Sequence, residues 1–433
     1  MLKRRNLLRS VARLAVAAAI SLAMPAALHA QSGSNGRNAP EHLDKPYVIV
    51  ISFDGFRYDY LDRYDAPNFE RLARRGVRAD GLIPVFPSKT FPNHYSIATG
   101  MYTDKHGLVD NTFYAPEFDA VFRLSDRSAV SDGRWYGGEP IWVTAETQGM
   151  VTAAFFFVGT EAEIRGVRPS EYRIYDGSVS MNTRVDQALE WLRRPAEERP
   201  HLIMLYFSAV DGAGHEFGPD APEVERAVAQ VDRALGRLLD GLDTLEIGDD
   251  VYVIAVSDHG MEAVSTDRTE YIEDVVALDG IRVVGGGPYL TLWVEGDSAR
   301  VREVEAALNA GLRHARAYRR DAMPERWRYA GSPRVGDIMV LAEPGHQVAG
   351  SRRNPPRSGG AHGYDPATAP NMQGIFLAAG PAIRPGVRIP AFENVHVYPL
   401  IAHLLGLRPN PEIDGRLEVL EPILQTVAAA GSN

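Results

Sequence analysis

The stretch Tyr47-Val-Ile-Val-Ile-Ser-Phe-Asp-Gly55 decides the fold: an apolar run broken by one serine ends on an aspartate and a glycine. The arrangement returns twice, where residues 202–210 run into Asp211-Gly212 and where residues 251–256 lead to Asp258-His259-Gly260. Short apolar runs bounded by turn residues read as buried strands. In an open α/β sheet, ligands gather at the carboxyl ends of parallel strands. One such aspartate is a turn; three, two of them with a histidine close by, point to one shared crevice and to a metal ion.

Outward from these strands the chain alternates apolar runs with helical spacing, the rhythm of a sheet covered on both faces. Val224, Val228, Val231, Leu235, Leu238 and Leu242 follow Pro222 at three- and four-residue intervals, which predicts an amphipathic helix over 223–242. This helix returns the chain from Asp211 to the strand at Val251. A shorter helix is expected over 400–407. The texture changes over about 262–353, with Gly285-Gly286-Gly287-Pro288, a strand-like run at 289–294, a helix-like stretch at 298–312 and an apolar run at 337–341. This segment reads as a smaller subdomain inserted in a catalytic domain of 46–433. The chain then re-enters the core through His362 and a strand at 374–379.

With 433 residues, 45% of them hydrophobic and 24% charged, the chain is long enough for a large core. Lys3, Arg4, Arg5, Arg9 and Arg13 precede an apolar run at 14–27, and Ala30 is followed by polar residues. Residues 1–30 therefore read as a signal peptide for export to the periplasm or beyond, leaving no membrane span after cleavage; an uncleaved anchor is the alternative. The Arg4-Arg5 pair leaves both Sec and twin-arginine routes open. Residues 31–45 read as a flexible N-terminus. Losing five basic residues and no acidic one takes the formal charge from −10 to −15. Such a chain is no stable partner for a nucleic-acid polymer, whose binding rests on Lys and Arg. Cysteine is absent, which excludes disulfides, thiolate ligands and cysteine nucleophiles.

Oxygen and imidazole ligands remain. Asp211-Gly-Ala-Gly-His215 can fold a carboxylate and an imidazole around one ion, although a glycine turn with an exposed histidine satisfies the same pattern. Asp258-His259 sits where a strand ends. His362 lies between Gly360 and Gly363, in a loop built for close approach. His201, His314 and His403 lack strand-end carboxylates or glycine flanks and are assigned no chemistry; no third metal cluster is apparent. Thr90, in Pro87-Ser88-Lys89-Thr90-Phe91-Pro92-Asn93-His94, is either a helix N-cap or a nucleophile whose proton a bound divalent ion removes. A helix N-terminus behind it would favour phosphate.

Taken together these segments resemble the nucleotide pyrophosphatase/phosphodiesterase family of the alkaline phosphatase superfamily. The resemblance is carried by residues 84–100, from Pro84 through Thr90 to Gly100, with His106-Gly107 and Asn111, and by Asp54-Gly55, Gly166-Val167-Arg168-Pro169-Ser170, Tyr206, Asp211 to His215, Ser257 to Met261 and Gly360 to Tyr364. It implies an alkaline-phosphatase-like three-layer αβα sandwich with a mostly parallel central sheet and a smaller inserted subdomain. It further implies two Zn2+ ions, one held by Asp54, Asp258, His259 and Thr90 Oγ1, the other by Asp211, His215 and His362. Thr90 would attack phosphorus and pass through a phosphothreonine intermediate. Asn111 and the Thr90 N–H would hold a phosphate oxygen, and Phe91 would stack on a base near Tyr206 and Tyr175, for each of which core packing is the alternative.

The expected activity is hydrolysis of nucleotide phosphodiester and pyrophosphate bonds to a nucleoside monophosphate. The rivals are a phospholipid-headgroup or alkyl diesterase, a monoesterase or sulfatase, and a non-catalytic periplasmic zinc-binding protein. Thr90 and Asn111, in place of a serine or formylglycine and charged clamps, disfavour the monoesterase and sulfatase.

Overall fold

The structure, a computed structural model of the chain, describes residues 35–425; the export segment expected at 1–30 lies outside the described residues. Eight strands form the central sheet, in the order Val387–Ile389, Gly76–Ala79, Phe376–Ala379, Val251–Val256, Tyr47–Phe53, Leu202–Phe207, Thr152–Phe155, Glu171–Arg173. We label Tyr47–Phe53 β1, Leu202–Phe207 β2 and Val251–Val256 β3. The three carboxylate-bearing strands are thus adjacent. β1 pairs in parallel with β2 on one side and β3 on the other, with Ser52 in register with both Tyr206 and Val256. That register brings the ends of the three strands level, which is why Asp54, Asp211 and Asp258 converge. Only Phe376–Ala379 runs antiparallel to its two neighbours.

Alternation along β1 sorts its side chains onto two buried faces. Val48 and Val50 pack with Leu202, Met204 and Ile254 on one face. Ile49, Ile51 and Phe53 pack on the other with Ile203, Leu205 and Val253. The second face is covered by the helix Pro222–Leu242, whose Val224, Val228, Val231, Leu235 and Leu238 are all fully buried. Each such side chain contributes about 1.5–3 kcal/mol on burial. Helices on both faces and one sheet between them make the three-layer α/β fold.

Residues 281–342 form a separate four-stranded antiparallel sheet, in the order Ile281–Gly285, Tyr289–Val294, Ile338–Ala342, Ala315–Arg319. The helix Ser298–Gly311, capped by Asp297 through the N–H groups of Ala299 and Arg300, packs Val304 and Leu308 against Leu290, Leu292 and Val340.

Three expectations need correction. The run at 202–210 is not one strand, because β2 ends at Phe207 and Ala209–Phe217 is an α-helix, which we label α2. The helix expected at 400–407 is Val397–Leu405, stopped by Gly406 at φ 67°, a left-handed conformation that glycine adopts without penalty. Residues from Asn38 onward are docked, with the Asn38 amide donating to the Ala196 and Arg199 carbonyls at 2.8 and 2.7 Å and accepting from Val151 N–H at 2.7 Å.

Candidate active site

α2 decides the first ligand set. Asp211 and His215 are four residues apart on it and so share one helical face, and His215 Nε2 lies 3.3 Å from Asp211 Oδ1. The segment for which a glycine turn was the alternative is therefore a helix. The close approach is required of the adjoining loop, for a Cβ on Gly360 would fall 2.4 Å from the Gly214 carbonyl oxygen, whereas a Cβ on Gly212 would meet nothing within 4 Å. The adjoining loop brings in His362, whose Nε2 is 3.1 Å from His215 Nε2 and 3.7 Å from Asp211 Oδ1. Both histidines donate their other nitrogen to a carbonyl, His215 Nδ1–H to Gly360 at 2.8 Å and His362 Nδ1–H to Ser88 at 2.8 Å. This tautomer turns both Nε2 lone pairs toward Asp211, as metal-ligating histidines require.

The second set lies across Asp54. His259 Nε2 is 3.0 Å from Asp258 Oδ2, 3.4 Å from Asp54 Oδ1 and 3.3 Å from Thr90 Oγ1. Its Nδ1–H donates to the Gly260 carbonyl at 2.9 Å. The Asp211 N–H donates to the Asp54 carbonyl at 3.0 Å. Gly55, at φ +69°, is packed so closely that a Cβ there would sit 2.7 Å from Asp211 Cα. The two sets share a wall, since the His259 and His362 rings stack with centroids 3.5 Å apart, and Asp211 also groups with Asp54 and His259.

Thr90 opens the helix Thr90–Thr99, here α1, but as its first helical residue; Lys89 occupies the N-cap position and makes no capping bond through its side chain. The hydroxyl is therefore not the cap, and it faces His259. Asn111 Oδ1 accepts from the Phe91 N–H at 2.8 Å, which leaves the amide nitrogen of Asn111 as a donor for a ligand. A cavity of ≈ 260 Å³ opens from Thr90 and is lined by Phe91, Asn111, Tyr175 and Tyr206 among others. Tyr206 does more than line it, because its hydroxyl donates to Asp54 Oδ2 at 2.5 Å.

Three buried carboxylate oxygens, Asp54 Oδ1, Asp211 Oδ1 and Asp258 Oδ2, have no hydrogen-bond partner. Burial pushes the Asp54 carboxyl well up, helped by the Asp258 and Asp211 charges. Burial likewise lifts Asp211 to about 6. For Asp258 burial is outweighed by His259 and His94, which hold it well below the usual range. His259 is raised to about 9, the Asp258 charge overcoming its burial. Orphaned anionic oxygens taken out of water cost free energy unless a cation neutralises them. An oxygen and imidazole donor set without sulfur fits a divalent ion such as zinc.

Sequence reasoning missed four residues. His94 Nδ1 lies 2.9 Å from the Thr90 carbonyl and 3.2 Å from Asp258 Oδ2, and its Nε2 lies 2.8 Å from Ser52 Oγ. With Nδ1 on the Thr90 carbonyl and Nε2 on Ser52, His94 offers no free lone pair and lies beside Asp258 as a neighbouring charge; its spacing of four from Thr90 on one helix was the available signal. Lys89 is half-buried, next to Gly363 and above the Tyr289 ring. Arg127 and Glu161 form an ion pair at the cavity, and Glu161 Oε1 accepts the Tyr175 N–H at 2.9 Å. Nothing in the local sequence of these two announces a site.

Residues 48–365 match the family model for type I phosphodiesterase / nucleotide pyrophosphatase. Ectonucleotide pyrophosphatase/phosphodiesterase family member 1 of Mus musculus is 36% identical over 392 residues, covering 86% of this chain and 42% of the relative. A venom phosphodiesterase of Naja atra is 34% identical over 390 residues, covering 88% and 46%. The chain thus spans less than half the length of these relatives. The solved structure of murine ectonucleotide pyrophosphatase/phosphodiesterase 5 superposes with a TM-score of 0.83 at 31% identity, covering 88% of this chain and 100% of that one. A family match over most of the chain, and a fold shared over 88% of it with that structure, show that the chain belongs to the type I phosphodiesterase / nucleotide pyrophosphatase family of the alkaline phosphatase superfamily.

Proposed function

We propose that the protein is an exported two-zinc phosphodiesterase that cleaves nucleotide phosphodiester and pyrophosphate bonds and releases a nucleoside monophosphate. The observation that carries this reading is the Thr90 hydroxyl, 3.3 Å from His259 Nε2, at a helix N-terminus between two sets of orphaned ligands. In this reading Asp54, Asp258, His259 and Thr90 hold one ion, and Asp211, His215 and His362 the other. Bound there, the ions supply charge neutralisation and lower the pKa of coordinated hydroxyls. Thr90 Oγ1 forms the new bond to phosphorus as the bond to the leaving oxygen breaks, and water then cleaves the resulting threonine ester. Asn111 and the N-terminus of α1 hold a non-bridging oxygen, the neutral amide suiting the single charge of a diester. Phe91, braced edge-on by Phe122 at 5.5 Å, and Tyr175 offer apolar surface to a base. Residues of about 262–353 would form the inserted subdomain.

A solved structure of the murine relative is described as an inactive threonine-to-alanine variant in complex with AMP, which supports both a threonine in the reaction and a nucleoside monophosphate in the pocket. The test is the zinc-loaded protein assayed on a nucleoside aryl diester, a non-nucleoside diester, a monoester and an aryl sulfate. The nucleoside diester should lead by orders of magnitude. Equal rates on the two diesters would point to a headgroup or alkyl diesterase, and a preference for the monoester would overturn the role of Asn111. Thr90→Ala should lose about 10³-fold or more in turnover while still binding zinc; a non-catalytic zinc-binding protein would show no turnover to lose.

A further inference from the structure

We propose that His314, Glu343 and His346 form a separate divalent-cation site of the zinc class on the small antiparallel sheet, apart from the residues around Thr90. Sequence spacing gave His314 no chemistry; the backbone brings it together with Glu343 and His346. The strands Ala315–Arg319 and Ile338–Ala342 pair with Ala315 opposite Ala342, and the Glu343 N–H donates to the His314 carbonyl at 2.8 Å. That extra rung sets residues 314 and 343 directly across from each other, so their side chains share a face. The chain then turns back over Glu343-Pro344-Gly345-His346, closed by His346 N–H to the Glu343 carbonyl at 2.9 Å. Proline at the second position and glycine at the third, here at φ +81°, are what a type II turn demands. Glu270 fixes the other side by accepting the Arg313 and His314 N–H groups, each at 2.8 Å.

The result is an N,N,O set gathered by the backbone. His314 Nδ1 lies 3.1 Å from Glu343 Oε2, close to the roughly 3.3 Å between ligands around a tetrahedral ion with bonds of about 2.0–2.1 Å. One ligand atom from each of the three residues lies within 4.8 Å of the others. The two imidazoles stack with centroids 4.1 Å apart and planes 10° from parallel, so converging both nitrogens on one ion asks for rotation about the Cβ–Cγ bonds and leaves the backbone in place. His346 Nδ1 is buried and has no hydrogen-bond partner. This orphaned nitrogen separates the cluster from an ordinary surface imidazole–carboxylate pair. The His346 carbonyl also accepts from the hydroxyl of the fully buried Tyr364 at 2.7 Å, which anchors the turn to the protein interior. Two imidazoles and one carboxylate, with the remaining positions open to solvent, select a borderline transition ion over calcium or magnesium.

The experiment compares metal content of the full chain and the His314→Ala/His346→Ala double variant after equilibration at one fixed free zinc concentration. The wild type should hold one more zinc per chain than the variant, whatever number is bound near Thr90, so failure of the catalytic reading would leave this difference intact. Equal zinc content, with both proteins folded by circular dichroism, overturns the proposal. Should the double variant fail to fold, Glu343→Gln keeps shape and volume, and zinc titration should then show one class of site weakened by about 10–100-fold. An unchanged titration overturns the proposal equally. Hydrolysis at saturating zinc should be the same in all three proteins.

Discussion

Replacing Tyr206 with phenylalanine removes one oxygen from the candidate site and leaves its walls standing. The ring packs edge-on against His94 at 5.3 Å and Tyr175 at 6.0 Å, contacts that phenylalanine keeps. What is lost is the 2.5 Å hydrogen bond to Asp54 Oδ2. That bond decides which carboxylate oxygen is free, for with Oδ2 held, the orphaned Oδ1 is the one that faces His259 Nε2. A hydrogen bond to a charged group contributes about 1.5–3 kcal/mol, and partners that orient a ligand typically set about 10–100-fold in metal affinity. The two magnitudes agree, since 1.36 kcal/mol is one decade. Competition with a chelator of known affinity should therefore show zinc held by the Asp54 ligand set loosened by about one to two decades in Tyr206→Phe, with turnover largely restored at saturating zinc. Unchanged affinity would refute the orienting role, and a turnover that zinc cannot restore would place the hydroxyl in the reaction itself.

Stripping the protein with chelator should lower its melting temperature and zinc should restore it, because a ligand at 100 times its Kd stabilises by about 2.7 kcal/mol; indifference to chelator would contradict the ligand sets. Gly55→Ala should keep the fold but lose about tenfold or more in turnover, since the new Cβ must displace the backbone of Asp211; full activity would show that the approach is not needed. His106 accepts the Leu108 N–H on Nδ1 at 3.2 Å and so donates Nε2–H to Ser96 Oγ at 2.9 Å, and burial lowers its pKa to about 3. A depressed histidine pKa means that the unfolded chain binds the extra proton, so this contribution is full above about pH 6.5 and is lost as pH falls toward 3, by about 1.4 kcal/mol per unit. His106→Gln should flatten that acid limb in urea titrations, and an unchanged slope would refute the neutral assignment.

The strands and the long helix were legible because their signals are local: β3 is an uninterrupted apolar run, β1 is broken only by Ser52, and residues 222–242 keep one helical stripe. The segment after β2 was read as strand running into a possible turn because two glycines between Asp211 and His215 imitate a turn, whereas the residues from Ala209 to Phe217 are helical and the residue that must be small for the close approach is Gly360 in the facing loop. The ligand histidines beside strand-end carboxylates or glycines could be singled out. Arg127 and Glu161, or His314 and Glu343, meet only through tertiary folding and strand register, so no spacing in the sequence brings them together. Tyr206 was expected near a base, and its hydroxyl on Asp54 became visible only once β1 and β2 were aligned.

The central claim is that Thr90 attacks phosphorus before water does. Hydrolysis of a nucleoside diester made chiral at phosphorus by sulfur and oxygen isotopes, with the configuration of the product determined, tests it most directly. Two successive in-line displacements predict net retention. Net inversion would mean that water attacks in a single step and that Thr90 is not the nucleophile.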